Sequence, residues 1–385
     1  GGAIVRRRQF LGAVGATAAA GCVSAPGGSE RPGDGQTVTP STPTPPAVGD
    51  VDLPVPRSEM YAALSRDRIP AIVEPAFGPD WGRVEVDGEP VSLPDDAAVV
   101  GVERDGAARA YPLRILNWHE VVNDDLRGPL LVTYCVQCGS AVVAERFVAG
   151  EPTVFGVSGL LWRADLVMYD RATESLWSQI LATAINGPRT GDRLSLLPSA
   201  LTTWGSWRAE HPETKVLLPP PYSNTLRGRE ATQDYATPKY DFGDSDQLIG
   251  LDSDDGELYP KTMVVGVSAG DEAKAYPFPV VREAGVVNDE VGGTPVVVTL
   301  TPSGTLVAYE RQVDYTVLVF RAGDAAHLRA GGSRWRRASG LAVDGPHEGR
   351  RLSSASPVPA MYWLGWSKFH PDTAVYGIDA TVTTG

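Results

Sequence analysis

The 385-residue sequence lacks several features that would assign it to a familiar class of protein. No run of about 18 apolar residues follows the N-terminal segment, so no membrane-spanning helix is expected in the body of the chain. Neither a Gly-rich phosphate-binding loop with its Lys nor a G-x-S-x-G nucleophile elbow occurs, which argues against P-loop nucleotide enzymes and α/β-hydrolases. Cysteine occurs three times, with a single C-x-x-C pair. A closed zinc site with four cysteines is therefore excluded.

Positive charge is also scarce. Lys and Arg total 34 against 47 Asp and Glu, which gives a net charge of −13, and lysine is much rarer than arginine. No nucleic acid partner is expected, because contact with backbone phosphates needs a positive patch. An acidic, lysine-poor surface resembles the surfaces of halophilic proteins, where carboxylates keep the protein in solution. The apolar fraction of 42% is typical of a globular protein.

The first 22 residues form a predicted export signal. Residues 7–11 are Arg-Arg-Gln-Phe-Leu, which fits the twin-arginine pattern, and the weakly apolar stretch at 11–21 is too short to span a membrane. Small residues precede Cys22, as a lipoprotein signal peptidase requires. We therefore expect residues 1–22 to be a twin-arginine signal peptide with a lipobox, and Cys22 to anchor the exported protein to the outer face of the cytoplasmic membrane. The alternative is simple cleavage, with Cys22 lost or free.

An internal repeat organises most of the remaining chain. Residues 23–51, rich in Gly, Ser, Thr and Pro, are predicted to be a flexible linker. Beyond them, three segments recur at an offset of 165 residues: 99–102 with 264–267, 110–112 with 275–277, and 121–124 with 286–289. The pattern Trp-x-x-Trp-x-x-x-His-Pro also occurs twice, beginning at Trp204 and Trp363. We infer a first module over residues 52–225 and a second over residues 226–385.

Each module is predicted to be mainly β. Short runs rich in β-branched residues and bounded by Gly, Asp and Pro indicate strands. These runs cover residues 97–103, 130–134, 141–146 and 153–157 in the first module, and 262–267, 295–300, 305–311 and 315–320 in the second. We expect a β-rich α+β fold with two homologous antiparallel modules in tandem, each a sandwich or barrel-like. The few expected short helices include the two Trp-x-x-Trp stretches.

Residues that both copies share are expected to serve the fold. His211 and His370 belong to the repeated Trp motif, so they are expected to be structural and to lie beside the Trp pairs. The Asn-Asp pairs at 123–124 and 288–289 are expected at turns. Residues present in one copy alone are the better candidates for function.

Three regions of the first copy have no match in the second. Asn-Trp-His-Glu at 117–120 aligns with Arg-Glu-Ala-Gly at 282–285, and the segment with Cys135 and Cys138 aligns with a shorter, cysteine-free loop. Residues 158–173 have no clean counterpart. Thiols, an imidazole and carboxylates are thus lost together, which indicates a site in the first module.

Cys135, Cys138 and His119 are the candidate metal ligands. Two residues between thiolates let both sulfurs face one point about 2.3 Å from a metal. Candidates for the fourth ligand are Met168, Asp170 and water. Two Cys and one His with a Met neighbour would suit copper, whereas the same three ligands with water would suit catalytic zinc.

The same residues allow two other functions. In an extracytoplasmic thiol redox enzyme or a Cys-nucleophile enzyme, His119 would lower the pKa of one Cys, with Glu120 or Asp170 orienting the imidazole. In a non-catalytic surface module, Cys135 and Cys138 would form a structural disulfide, as extracellular proteins often do. The residues themselves leave these three alternatives open.

Long motifs of the first copy follow one another in a specific order. They are Asn-Trp-His-Glu-Val-Val-Asn-Asp at 117–124, Thr-Tyr-Cys-x-x-Cys at 133–138, Phe-Gly-Val-Ser-Gly-Leu at 155–160 and Leu-Val-Met-Tyr-Asp-Arg-x-Thr-x-Ser-Leu-Trp-x-Gln at 166–179. This order resembles the DUF3179 family, a domain of unknown function, over about residues 60–380. That family usually has Pro-Leu between the cysteines, where this chain has Val136 and Gln137. The resemblance implies no activity, but it implies that the candidate catalytic residues form one unit: His119, Cys135, Cys138, Asp170 and Gln179.

Overall fold

A computed structural model of the chain describes residues 51–86, 88–229, 233–235, 258–356 and 358–378. The predicted signal peptide with Cys22, the linker up to residue 50 and part of the expected junction between the modules lie outside these ranges. The described chain is mainly β, with 45% strand against 11% helix, which confirms the fold class expected from the sequence. Its sheets form no closed barrel within the described ranges. None of the helices described there is long and apolar enough to cross a membrane.

The first copy contributes the following elements to the described structure. Its strands are β1 (Tyr61–Ala62), β2 (Ile72–Glu74), β3 (Ala76–Gly78), β4 (Val84–Val86), β5 (Glu89–Val91), β6 (Ala98–Arg104), β7 (Ala107–Pro112), β8 (Val121–Asp125), β9 (Pro129–Cys135), β10 (Ser140–Glu145), β11 (Phe147–Val148), β12 (Glu151–Pro152), β13 (Phe155–Trp162), β14 (Asp165–Asp170), β15 (Leu176–Ser178), β16 (Thr183–Asn186), β17 (Ala200–Thr203), β18 (Lys215–Leu218) and β19 (Asn224–Thr225). Its helices are α1 (Leu113–His119) and α2 (Trp204–Glu210), with a 3-10 turn over Arg57–Glu59.

The second copy repeats part of this order, with fewer strands in the described residues. Its strands are β20 (Met263–Ala269), β21 (Glu272–Pro277), β22 (Val286–Val291), β23 (Thr294–Leu300), β24 (Leu306–Glu310), β25 (Gln312–Val313), β26 (Thr316–Val317), β27 (Arg321–Ala322), β28 (His327–Ala330), β29 (Ser333–Arg336), β30 (Met361–Tyr362) and β31 (Ala374–Val375). Its helices are α3 (Phe278–Ala284) and α4 (Trp363–Phe369), with a 3-10 turn over Gly345–His347.

Three sheets of the first copy have smaller counterparts in the second. The order β17-β6-β7-β18-β3 corresponds to β30-β20-β21-β31, and β10-β9-β8-β2-β19 corresponds to β24-β23-β22. The sheet β1-β13-β14-β15-β16 corresponds to β27-β28-β29. Pairing is mostly antiparallel, with parallel contacts at β7–β18, β2–β8 and β21–β31. The central strand β9 is almost wholly buried, which explains its continuous apolar sequence.

The repeated Trp motifs lie against the repeated glycines. A Cβ atom on Gly101 would lie 2.3 Å from the Trp207 ring, so the indole packs directly on strand β6. The His211 ring lies against the same indole, tilted by 34°, with 4.0 Å between ring centroids. This arrangement confirms that the repeated histidine lies beside a Trp of the motif. The second copy repeats it with Gly266, Trp366 and His370.

The repeated Asn-Asp pairs are not at turns, and that expectation was wrong. Asn123 lies inside β8, where its amide donates to the carbonyls of Ile72 and Phe155 at 3.1 and 2.8 Å. The next residue, Asp124, accepts a hydrogen bond from Tyr111 at 2.6 Å and forms an ion pair with Arg109. These polar residues are buried because they join neighbouring strands, a contact that local turn propensity cannot reveal.

One hydrophobic core is shared by the two copies. It joins side chains of β9, β14 and β15 to side chains of β20 and α4. Members from the first copy include Cys135, Cys138, Met168 and Trp177, and members from the second include Val264, Trp363 and Trp366. The cysteines therefore lie where the second copy packs on the first.

Candidate functional site

The hairpin of β9 and β10 holds both thiols. Cys135 is the last residue of β9 and pairs with Ser140, the first residue of β10. The backbone N–H of Cys138 lies 3.4 Å from the Cys135 sulfur, so the connecting turn folds back on the first thiol. Gly139 has a φ of 58°, a left-handed conformation that favours glycine and completes this turn. Both cysteines are free and buried.

The carboxylate of Asp165 lies close to the two thiols. The ligand atoms of Cys135, Cys138 and Asp165 all lie within 4.8 Å of one another. All three residues are at most 1% exposed. In the described part of the chain, this is the one group of three or more His, Cys, Asp or Glu with a geometry that could hold a metal ion. We call it the Cys/Asp site.

The β13–β14 hairpin carries the carboxylate to the thiols. Trp162 pairs with Asp165, so Arg163 and Ala164 form a two-residue turn in which both have positive φ, 52° and 66°. Such turns favour Asn and Gly, and other residues are strained there. The Ala164 carbonyl accepts a hydrogen bond from the Cys138 thiol, with 3.1 Å between sulfur and oxygen. The strained turn thus presents both a carbonyl and a carboxylate to the sulfurs.

Hydrogen bonds fix the orientation of the Asp165 side chain. The Ser178 hydroxyl donates to one carboxylate oxygen at 2.6 Å, and the backbone N–H of Ile180 lies 3.2 to 3.3 Å from both oxygens. Burial raises the pKa of Asp165 to about 7, although these hydrogen bonds oppose the change. Burial also raises the pKa of Cys138 well above its usual range, and the nearby charges of Cys135, Asp165 and Glu120 add to the effect. The site therefore disfavours the deprotonated, negatively charged forms of these groups unless a cation is present.

Glu120 lies in an unusual backbone conformation at the end of α1. It has φ 55° and ψ −30°, whereas the second copy has Gly285 with φ 71° and ψ −49° at the same place. A left-handed conformation costs a residue other than glycine roughly 1–2 kcal/mol. The first copy therefore keeps a buried carboxylate where the repeat uses glycine. Its charge contributes to the raised pKa of Cys138, so it lies close enough to influence the thiols.

His119 is held by two hydrogen-bond partners outside the Cys/Asp site. Its Nδ1 lies 2.7 Å from the Pro70 carbonyl, and its Nε2 lies 2.8 Å from the Tyr235 hydroxyl. The carbonyl can only accept, so Nδ1 carries the proton and Nε2 accepts from the tyrosine. His119 is not a member of the group whose ligand atoms approach within 4.8 Å. Its role as a metal ligand stays a prediction.

Asp170 closes the turn between β14 and β15. Its carboxylate accepts hydrogen bonds from the Thr173 backbone at 2.6 Å, the Thr173 hydroxyl at 2.7 Å and the Trp177 indole at 3.0 Å. These contacts occupy both carboxylate oxygens. The structure therefore brings Asp170 to a turn rather than to the thiols.

The Gln179 side chain forms hydrogen bonds to both strands of the cysteine hairpin. It accepts a hydrogen bond from the Ser140 hydroxyl at 2.8 Å and donates to the Thr133 hydroxyl at 3.0 Å. Because Ser140 pairs with Cys135, this amide positions the hairpin rather than a ligand. Met168 packs in the core between Val157 and Trp177 of the neighbouring strands and is 1% exposed.

The second copy covers the cysteine turn. The backbone N–H of Tyr362 donates to the Cys138 carbonyl at 2.8 Å, and a Cβ atom on Gly139 would lie 2.7 Å from the Tyr362 ring. A Cβ atom on Gly365 would lie 2.9 Å from Cys138. Helix α4 and the residue before it therefore close the site from solvent.

The sequence identified the thiols but missed two contributors to the site. Asp165 lies in the copy-specific segment 158–173, yet no spacing links it to the cysteines, because it approaches them only through the β13–β14 hairpin. Tyr362 belongs to the second copy, which has no thiols of its own. The sequence pointed to Asp165 in one way: the second copy has no clean counterpart of the segment 158–173 that contains it.

Comparison with known protein families gives a match. The sequence matches the family described as "Protein of unknown function (DUF3179)" over residues 66–373. This range spans both copies of the repeat. No curated protein and no solved structure matches the chain.

Proposed function

This chain belongs to the DUF3179 family, and we propose that it binds one transition metal ion, zinc by preference, through Cys135, Cys138 and Asp165. The observation that carries the proposal is the burial of three potential anions within 4.8 Å of one another. Charged groups in a protein interior need a partner of opposite charge. Neither thiol and neither oxygen of Asp165 forms an ion pair with a described basic side chain, so a metal cation is the partner that fits.

The donor atoms suit a four-coordinate ion. Zinc binds thiolate sulfur at about 2.3 Å and carboxylate oxygen at about 2.0–2.2 Å, which separates tetrahedral ligand atoms by somewhat less than 4 Å. The observed limit of 4.8 Å is close to that requirement. Ser178 and Ile180 already orient the carboxylate, as residues behind a metal ligand commonly do.

Zinc fits this donor set better than copper. Reduced copper prefers thiolate and thioether ligands, whereas Asp165 supplies a carboxylate oxygen beside the two thiols. A carboxylate oxygen beside two thiolates is a combination that zinc accepts. Bound zinc would join the β9–β10 hairpin to the β13–β14 turn. Burial beneath α4 favours this structural role over turnover of a substrate.

Burial weighs against the two alternatives. Reactive cysteines are partly exposed and have a lowered pKa, whereas Cys138 is fully buried and its pKa is raised. A structural disulfide would link Cys135 to Cys138, but both are free thiols here. Metal binding is compatible with all three features of the site: two thiols that can deprotonate, a carboxylate, and burial away from water.

Cobalt substitution tests the ligand set. Full chain loaded with Co²⁺ should show thiolate-to-metal charge-transfer absorption. The absorption should weaken in C135S and vanish in C135S/C138S. H119A is the informative control, because the imidazole is engaged by Pro70 and Tyr235 and its loss should leave the band intact. An unchanged band in C135S/C138S would refute the proposal.

We also propose that the protein is exported through the twin-arginine route and anchored by a lipid on Cys22. The motif at residues 7–11, the small residues before Cys22 and the spacer that follows support this proposal. In cells that carry this export route, R7K/R8K should leave the protein in the cytoplasm. C22S should release the exported protein from the membrane fraction. Membrane association that survives C22S would contradict lipid anchoring.

A further inference from the structure

The outer face of the β27-β28-β29 sheet is basic. Arg321 pairs with Arg329 across β27 and β28, and Arg329 pairs with Arg334 across β28 and β29. Directly paired residues point to the same face of a sheet, so these three exposed arginines form one row. The next pair on the same face is His327 with Arg336. We call Arg321, Arg329 and Arg334 the arginine row.

Such a row is unfavourable by itself. Like charges directly opposite one another destabilise a sheet. Two carboxylates lie nearby: Asp344 bonds to Arg334 at 2.6 Å, and Asp324 bonds to His327 at 2.8 Å. Within the described residues, no ion pair or hydrogen bond engages the side chain of Arg321 or Arg329. A chain with a net charge of −13 thus concentrates uncompensated positive charge at one place.

The first copy shows that the fold does not require these arginines. The two sheets correspond because Asn123 and Asn288 donate to the carbonyls of Phe155 and Phe320 in the same way, each at 2.8 Å. In the first copy the positions of the arginine row are apolar or uncharged and buried. They are Gly156, Tyr169 and Leu176, paired in the same register.

In the first copy, the corresponding positions are covered by a hydrophobic cluster. Tyr169 and Leu176 pack in a cluster with Val55 and Met60, which belong to the segment before β2. The second copy has exchanged this buried apolar face for an exposed basic one. Drift alone would give mixed polar residues, whereas the row is uniformly arginine.

A depression of about 690 Å³ lies at the arginine row. All three arginines line it, together with Asp344 and the Gly331-Gly332 turn. Strands are about 4.8 Å apart, so neighbouring guanidinium groups can converge on one oxyanion. Phosphate suits this spacing because it offers three acceptor oxygens and up to two charges, and arginine binds it through two parallel hydrogen bonds.

We propose that the arginine row binds a ligand that presents two or more phosphate groups. The phosphates supply the negative charge that Arg321 and Arg329 do not receive from any described carboxylate. The ligand must therefore be anionic. The source is a polyphosphorylated small molecule or the phosphate headgroups of an anionic lipid surface. This inference is independent of the metal proposal.

Calorimetric titration with inorganic tripolyphosphate tests the proposal on the full chain at low salt, because salt screens exposed charges. The key variant is R321S/R329S. The matched control is R57S/R83S, which removes two exposed arginines elsewhere. R321K/R329K keeps the charge but loses the planar fork, and it preserves the test should the serine variant fold poorly.

We expect saturable binding by the wild type and by R57S/R83S, binding at least tenfold weaker by R321S/R329S, and an intermediate affinity for R321K/R329K. Sedimentation with phosphatidylglycerol vesicles, but not with phosphatidylcholine vesicles, identifies lipid headgroups as the source when tripolyphosphate competes. Tripolyphosphate binding without sedimentation identifies a soluble ligand. The proposal is overturned by a wild type that binds neither probe, or by equal affinity in R321S/R329S.

Discussion

At the scale of single residues, the duplication separates what the fold needs from what the first copy adds. Glu120 stands where the repeat has Gly285, in a backbone conformation that disfavours any side chain. Asp165 is buried without a cationic partner among the described residues, close to two thiols. Both residues cost stability in the metal-free protein, and such local costs are typical of functional sites.

Replacing Glu120 tests the backbone cost. E120G should raise the free energy of unfolding by about 1 kcal/mol relative to E120A, because only glycine relieves the left-handed strain. Both variants lose the carboxylate, so their comparison isolates the backbone. Urea denaturation in the presence of a chelator measures the difference. Equal stability of E120G and E120A would show that the conformation is not strained.

Titration of Asp165 should make the metal-free protein less stable as pH rises. Burial raises the pKa of this carboxyl to about 7, whereas an unfolded Asp titrates near 3.9. Between about pH 4 and pH 7 the folded state holds the extra proton, so its stability should fall by up to about 1.4 kcal/mol per pH unit. The fall should end above the folded pKa.

Denaturation curves at several pH values check this dependence. D165N should remove most of the slope, because the amide does not titrate. Added zinc should also reduce it, since a metal ligand must be deprotonated. A slope that is the same in D165N and the wild type would assign the titration to another group.

At the residue scale, the sequence was informative where the candidate groups are neighbours along the chain. Cys135 and Cys138 form a pair within one turn, so their spacing was enough. The expected third ligand, His119, contacts Pro70 and Tyr235, which are 49 and 116 residues away in sequence, and its role as a ligand stays a prediction. Asp165 reaches the thiols only after two hairpins have formed. No local pattern contains that information.

At the scale of elements, two hairpins and one helix build the Cys/Asp site. The β9–β10 hairpin supplies the thiols, the β13–β14 hairpin supplies the carboxylate, and α4 covers them. The strands of these hairpins were largely predictable, because β9, β10 and β23 follow apolar, β-branched runs. Helices α1 and α3 were not predicted, and the run at 315–320 contains only the short strand Thr316–Val317. Tertiary packing overrides local propensity there.

The cysteine turn should be sensitive to a single methyl group. G139A places a Cβ atom 2.7 Å from the Tyr362 ring at a φ of 58°, and should lower the free energy of unfolding by about 2–3 kcal/mol. G150A is the matched control, because Gly150 has a φ of 83° but nothing within 4 Å of its Cβ position. Thermal or urea unfolding compares the two. Equal losses would mean that the Tyr362 contact contributes little.

At the scale of the whole molecule, the two copies have divided their tasks. The first copy holds the thiols and the carboxylate, and the second closes the site with Tyr362 and α4. The family match covers both copies. The second copy also carries the arginine row on a sheet that is buried in the first. The tandem repeat could be read from the sequence. The contact between the copies could not, because it joins residues that are far apart in the sequence.

Metal analysis of the intact protein tests the central claim most directly. The full chain is purified without chelator and its metal content is determined by plasma mass spectrometry, beside C135S/C138S, D165N and the control C22S, which removes a cysteine outside the Cys/Asp site. About one equivalent of zinc is expected in the wild type and C22S, with less in D165N and none in C135S/C138S. A wild type without metal, or a C135S/C138S variant with the same metal content, would contradict the account.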